Sequence, residues 1–279
     1  MIPTPIPITL DDYIPAGEGA NGESYNHRDD PSVMLKLYFP GKVEQPLSEM
    51  LLARKAYELG IPTPEPGDYV VTPDGRYGIR FHRIQDKVSY ARAVGNDPSQ
   101  TERYAAEFAQ MCRELHAVKL NRGEFADVKE NYYRLLEVNP FFTAREKDLL
   151  ARFIADVPDM DNAIHGDLQF GNAIFAGGKR YFIDMGDFCC GCPLFDLGMV
   201  YLTGNLNQEE FTRSAFHMDN ATARRFWEAF APAYYGTDRS LASIEEEVRP
   251  FAGLKTIIIE RDTRRPMPEF RAALDTILK

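Results

Sequence analysis

Asp167 and Asn172 stand five residues apart in Ile164-His165-Gly166-Asp167-Leu168-Gln169-Phe170-Gly171-Asn172-Ala173-Ile174, between short apolar runs that read as strands. A second acid, Asp184, closes the next apolar run, Tyr181-Phe182-Ile183. An aspartate to accept a hydroxyl proton, with an asparagine and another aspartate to hold Mg²⁺, is the minimum polar equipment for phosphoryl transfer. That chemistry also needs groups to steady a triphosphate, and the start of the chain offers candidates.

Gly17-Glu18-Gly19-Ala20-Asn21-Gly22 matches G-x-G-x-x-G. Taken alone, such a match is as well explained by a glycine-bearing surface turn. A dinucleotide-binding loop leads directly into a helix. Here the chain instead runs through Glu23-Ser24-Tyr25-Asn26-His27-Arg28, a turn at Asp29-Asp30-Pro31-Ser32, and the apolar run Val33 to Phe39. The order strand, glycine loop, strand, turn, strand predicts a hairpin lid over phosphates.

Lys36 lies within that last strand, between Leu35 and Leu37. Period-two alternation alone allows it to project to solvent. Its place fourteen residues after Gly22 also resembles that of the strand lysine which reaches the α- and β-phosphates in kinases. Residues 45–59 are rich in helix formers and are followed by Gly60, Pro62 and Pro64, which predicts a helix. Glu49, near its start, either answers the helix dipole or pairs with Lys36 and fixes it for the phosphates. Glu44 suits the dipole equally, but the apolar face that follows Glu49 favours Glu49 for the pairing.

Residues 68–72 and 76–81 predict a hairpin around Pro73-Asp74-Gly75. Residues 81–86 follow as a hinge into a second lobe, where backbone groups would hold adenine. Beyond Pro98, Tyr104, Phe108, Met111 and Leu115 recur at helical spacing, predicting an amphipathic helix that closes near His116. That position makes His116 a structural histidine at a helix end. Further helices are expected over 143–156, 207–235, 239–262 and 267–279.

The composition sets outer limits. A chain of 279 residues can bury a large core, as one large domain or two lobes. A net charge of −10 supplies no basic excess for nucleic acid. No run approaches the ~18 apolar residues of a membrane span, and the proline-broken N-terminus lacks a basic region, so it does not read as a signal peptide. Cys189, Cys190 and Cys192 crowd together with only Cys112 elsewhere, which suits neither a disulfide framework nor a zinc site. Buried free thiols and a cytoplasmic location are expected.

Asp167-Leu168-Gln169-Phe170-Gly171-Asn172 fits the D-L-x-x-x-N catalytic loop of protein kinases. With His165-Gly166 ahead of it, the stretch resembles the H-G-D-x-x-x-x-N loop of the aminoglycoside phosphotransferase and choline kinase family. Phe182-Ile183-Asp184-Met185-Gly186-Asp187 resembles that family's I-D-W-x-D segment, with Met185 replacing the tryptophan. Pro193-Leu194-Phe195-Asp196-Leu197-Gly198 resembles its G-D-P-x-x-D-L-A, with Cys192 where the family often has an acid. The resemblance runs from the glycine loop through Asp196.

It implies an α+β, protein-kinase-like two-lobed fold. A small β-rich N-lobe with one helix would occupy 1–84, and a larger, mostly helical C-lobe 85–279. It further implies ATP, or GTP, with Mg²⁺. Asp167 would be the catalytic base, Asn172 and Asp184 the metal ligands, and Gly17, Gly19, Gly22, Lys36 and Glu49 the nucleotide-binding residues. His165 would support the loop, and Asp196 would bond its backbone. Asp187 suits either a supporting or a solvent-facing place.

Protein kinases carry a long activation segment ending in A-P-E. Here eleven residues separate Asp184 from Asp196 and no A-P-E occurs, which leaves no room to lay out a peptide. Gln169 stands where serine/threonine kinases usually have lysine. A small hydroxyl-bearing acceptor of aminoglycoside, choline, sugar or amino-alcohol type is the better inference, with Trp227, Tyr234 and Tyr235 available near it. A pseudokinase or nucleotide-sensing binding protein, keeping the fold without transfer, is the alternative. Neither the acceptor nor the oligomeric state is specified by these residues.

Overall fold

A computed structural model describes residues 3–19 and 21–279. Ala20 of the glycine loop, and Met1 and Ile2 of the N-terminus, lie outside the described residues. The chain divides into two compact units, one of residues 1–88 with 173–188, the other of 89–172 with 189–279. The division expected at 84 and 85 lies near the first break. The membership of 173–188 in the first unit has no counterpart in that expectation.

The first unit opens with β1 (Ile6–Pro7), β2 (Tyr13–Glu18), β3 (Gly22–His27) and β4 (Val33–Tyr38), followed by α1 (Glu44–Glu58), β5 (Pro66–Val71) and β6 (Tyr77–His82). These strands form one sheet in the order β1-β5-β6-β4-β3-β2. The β2–β3 hairpin that carries the loop glycines is antiparallel, and so are β3–β4 and β4–β6. Alternation along β4 gives it two faces. Leu35 and Leu37 are buried among Ile8, Tyr13, Tyr25 and Val70. Tyr38 packs on the other side with Met50 of α1, Tyr69 and Ile79. Lys36 shares this second parity, so α1 covers the side that the sequence left open to solvent.

Beyond β7 (Val88–Ser89) come α2 (Tyr90–Asn96), α3 (Thr101–Ala117), α4 (Val128–Val138), α5 (Ala144–Asp156) and β8 (Asn162–Ile164). α3 ends where Val118 turns extended, which leaves His116 in its last turn. α5 starts on a capping box in which Thr143 and Glu146 exchange bonds. β9 (Ala173–Ala176) and β10 (Lys179–Phe182) then form an antiparallel hairpin in the first unit. Its turn rests on Gly177 and Gly178, both at positive φ, and Phe182 N–H donates to Pro62 O at 2.8 Å.

The second unit resumes with β11 (Cys189–Gly191), antiparallel to β8, then α6 (Leu194–Asn205), α7 (Glu209–Phe216), α8 (Asn220–Tyr235) and α9 (Leu241–Thr263). The helix expected over 207–235 is interrupted. His217 takes a left-handed conformation, and Asp219 caps a new helix by accepting from Thr222 N–H. The continuous helix expected over 267–279 becomes α10 (Pro268–Arg271), a tight 3₁₀ turn over 272–274 and α11 (Asp275–Leu278). That turn buries Ala273 and Leu274. Tyr132, Leu150, Ile154, Ile164, Phe195, Phe251, Leu254 and Ile257 build the core, with Cys189 and Cys192 among them. All four cysteines are free and buried, as expected. Among the described residues no helix is long and apolar enough to cross a membrane.

Candidate active site

Within the first unit, β4, α1 and the residues after β10 bring three charged side chains together. Lys36 Nζ donates to both oxygens of Glu49, at 2.7 and 2.8 Å, and to Asp184 Oδ1 at 2.6 Å. Tyr38, two residues along the same strand face, donates its hydroxyl to Glu49 Oε2. Glu44 sits a turn earlier, at the start of α1, so the pairing falls to Glu49. Burial pulls the Lys36 ammonium toward its neutral form, but Asp184 and Glu49 outweigh it and raise the lysine's pKa. For Glu49, 5% exposed, burial is the larger influence and raises its pKa against the opposing pull of Lys36. Burial and the Glu49 charge also push the Tyr38 phenol far above its ordinary range, which keeps it a donor.

Asp184 has left-handed backbone (φ 60°, ψ 54°) at the head of a 3₁₀ turn over Met185–Asp187, an uncommon state for a non-glycine residue. Gly186 permits that turn to lie against α1, because a Cβ there would come 3.3 Å from Glu49 Oε2. Asp187 faces solvent.

A cavity of about 270 Å³ opens beside these groups. Gly17, Gly19 and Gly22 line it together with Lys36, Glu49 and Asp184. Its remaining lining is largely apolar and includes Met34, Phe81, Ile84, Ile174 and Ile183. A largely apolar lining that also contains Lys36, Lys87 and the three loop glycines suits a purine nucleoside triphosphate. The expected hinge over 81–86 contributes Phe81 and Ile84. Ile174 and Ile183 went unread as site residues, because only folding returns 173–188 to this unit.

In the second unit, Asn172 Nδ2 donates to Asp167 O at 3.0 Å and to Asp167 Oδ2 at 2.9 Å. The amide is thereby oriented, and its carbonyl oxygen is the atom with which it could ligate a cation. Asn172 and Asp184 offer oxygen donors, the ligand type Mg²⁺ requires. Asp167 N–H donates to His165 Nδ1 at 3.3 Å. Lys36, Glu49, Asp184 and the glycines are thus gathered in one unit, and Asp167 and Asn172 in the other.

Asp196, fully buried in the first turn of α6, accepts from His165 N–H at 2.8 Å and from Gly166 N–H at 2.9 Å. It also pairs with His116 Nε2 at 3.0 Å, while His116 Nδ1 lies 2.8 Å from Tyr234 Oη. Burial alone would raise the Asp196 pKa, but the His116 bond, with charge from His116, His165 and Lys255, holds it below the usual carboxylate range. A carboxylate only accepts, so the His116 proton sits on Nε2 and, in the neutral ring, Nδ1 accepts from Tyr234. The structural histidine at the end of α3 is therefore a brace on the loop that carries Asp167. Trp227, considered near an acceptor, is wholly buried against Tyr201 and Phe230 and donates to Glu245 at 2.9 Å.

Sequence reasoning missed Lys255, whose Nζ donates to Gly166 O at 2.6 Å. One signal was present: it is the single charge in the run Phe251-Ala252-Gly253-Leu254-Lys255-Thr256-Ile257. A lone lysine in an apolar helical stretch calls for a buried partner.

A sheet-based unit with one long helix, joined to a largely helical unit, makes this a protein-kinase-like two-lobed α+β fold. Residues 12–232 match the APH model of the phosphotransferase enzyme family, and the chain belongs to that family. No curated protein matches the sequence. Among solved structures, the fold is similar to a thermostable variant of aminoglycoside phosphotransferase APH(4)-Ia in complex with ADP and hygromycin B. That match has a TM-score of 0.62 and 13% identity, over 96% of this chain and 93% of the other. It is also similar to the amicoumacin kinase hAmiN in complex with AMP-PNP and Ca²⁺ (TM-score 0.60, 15% identity, 98% and 88% covered). A third is aminoglycoside phosphotransferase APH(3'')-Id from Streptomyces rimosus with ADP and streptomycin (TM-score 0.58, 18% identity, 88% and 92% covered).

Proposed function

We propose that this chain transfers the γ-phosphoryl group of ATP, or GTP, to a hydroxyl of a small molecule. The observation that carries this reading is the Lys36 ammonium, held by Glu49 and Asp184 in a cavity that the loop glycines also line. Lys36 and the glycine-loop N–H groups steady the triphosphate, and Glu49 keeps the lysine aimed. Asp167 orients the acceptor hydroxyl and takes its proton as the oxygen attacks phosphorus. Asn172 Nδ2 keeps the Asp167 carboxylate in place for that task through its bond to Oδ2, and a second bond, to Asp167 O, fixes the backbone that carries it. Asn172 and Asp184 would hold Mg²⁺, which when bound supplies positive charge against that of the phosphates.

The acceptor class rests on the short run from Asp184 to Asp196 and on family membership. Similar folds hold hygromycin B and streptomycin, which makes amino-sugar alcohols the first compounds to try. The cytoplasm is the expected location, since it supplies ATP and keeps thiols such as these four reduced.

Phosphate transfer from Mg·ATP and Mg·GTP to aminoglycosides, choline, sugars and amino alcohols tests the proposal. Turnover is expected for at least one acceptor, with Asp167→Asn slower by roughly 10²–10⁴-fold. Chelation by EDTA should abolish it, and added Mg²⁺ restore it. A nucleotide-dependent melting shift without product for any acceptor, and with Asp167→Asn unchanged, would replace this reading by a nucleotide-sensing binding protein.

A further inference from the structure

We infer that Lys255 is a positioning residue for the reaction, setting the Asp167 carboxylate through the carbonyl of Gly166. The inference rests on the reading of Asp167 as proton acceptor. Lys255 lies on α9, 4% exposed, with Phe251, Ala252, Leu254 and Ile257 buried around it. Its ammonium donates to Gly166 O at 2.6 Å and stands 6.0 Å from the centre of the Tyr132 ring. A methionine or leucine would fill the same volume without the cost of desolvating a charge. The charge instead stands where it meets the backbone beside Asp167.

The geometry gives that contact leverage. Gly166 has φ +87°, a conformation that its own lack of a side chain permits but does not enforce. Asp196 holds the peptide before it by accepting from Gly166 N–H, and Lys255 holds the peptide after it by donating to Gly166 O. The nitrogen of that second peptide belongs to Asp167. With both peptides gripped, the backbone from which the Asp167 side chain departs has little freedom left.

The grips come from two helices set by one close approach. At Gly198 on α6, a Cβ would come 2.5 Å from the Phe251 carbonyl carbon of α9. Asp196 lies two residues before Gly198, and Lys255 one helical turn after Phe251. The same packing therefore delivers acceptor and donor to opposite sides of Gly166.

The test compares Lys255→Met, which keeps volume without a donor, with Lys255→Arg, which keeps charge and donor. Each is measured for kcat and KM with Mg·ATP, using any acceptor that supports turnover, or water, and for amide hydrogen exchange over 163–172. Lys255→Met should lower kcat by about 10²-fold, the scale of a misplaced reacting group. KM for Mg·ATP should change far less than kcat, because Lys36, Glu49, Asp184 and the loop glycines lie in the other unit. Lys255→Arg should recover most of the rate. Exchange over 163–172 should quicken in Lys255→Met and not in Lys255→Arg.

Wild-type kcat in Lys255→Met overturns the inference, as does a loss that arginine does not rescue. If no acceptor gives turnover, unchanged exchange over 163–172 overturns it. Should Lys255→Met fail to fold, Lys255→Leu, equally without a donor, is judged by the same criteria. Asp167→Asn run in parallel separates the failures. An unaffected Asp167→Asn sinks the proposed function, whereas a dead Asp167→Asn beside an unaffected Lys255→Met sinks this inference alone.

Discussion

The Lys36 ammonium donates to Asp184 Oδ1 at 2.6 Å, joining residues 148 apart in sequence. The carboxylate proposed to hold Mg²⁺ thus shares the Lys36 ammonium with Glu49. With Asp184 replaced by asparagine, Lys36 keeps Glu49 as its partner, but the anionic metal ligand is gone. Calorimetric titration with ATP should show that Mg²⁺ tightens binding to the wild type and has little effect on Asp184→Asn. An equal Mg²⁺ response in both proteins would count against Asp184 as a ligand.

Among the described residues, removing Lys36 leaves the buried Glu49 with the Tyr38 hydroxyl alone as a bonded partner. Breaking a fully buried pair costs about 3–5 kcal/mol. The Lys36 side chain is 19% exposed, so Lys36→Met should cost less, roughly 2–3 kcal/mol of unfolding free energy at neutral pH. Adding Glu49→Gln should restore part of the loss. Urea unfolding of both single variants and the double variant measures this coupling, and strict additivity would refute it.

Asp196 predicts a pH dependence. Its pKa is lower in the folded protein than in the unfolded chain, where an aspartate titrates near ~3.9. The native state then binds fewer protons, so the contribution is complete above that unfolded value and disappears as pH falls through the depressed folded one. Asp196→Asn should be clearly less stable than the wild type at pH 6, with the gap narrowing once pH falls below the unfolded value of about 3.9. Urea midpoints across that range decide it: a gap that does not narrow would contradict the prediction.

The loop glycines should differ in what they tolerate. A Cβ at Gly22 would overlap the Leu37 carbonyl on the neighbouring strand, whereas at Gly19 the nearest atom is 3.7 Å away. Gly22→Ala should cost about 1–3 kcal/mol through overpacking. Gly19→Ala should leave stability near that of the wild type. Melting temperatures of the two variants, without nucleotide, test the contrast.

Much of the fold was legible locally. Residues 45–59 read as a helix because its formers and its Gly60 stop act within a few residues, and α1 closely follows that reading. The 68–81 hairpin was legible for the same reason. The helix expected over 207–235 broke where Asp219 prefers to cap, a competition that averaged helical character conceals. The candidate site was legible as residue types in order, but its supporting residues were not. His116 and Tyr234 stand 118 residues apart, and nothing in either local pattern names the other.

By itself the sequence determined which chemistry-bearing side chains exist and in what order: Lys36, Glu49, Asp167, Asn172 and Asp184, with elements assigned from short-range periodicity. Tertiary structure decided which partners they meet. It seated Lys36 on Glu49, which the sequence had favoured over Glu44, added Tyr38 to that carboxylate, brought Asp184 and Ile183 into the first unit, and set Asp196 and Lys255 on either side of Gly166. The physical reason is range. Helix and strand preferences act over a few residues, whereas these contacts depend on which buried faces pack together, and a lone lysine on α9 shows its role only once Gly166 lies beneath it.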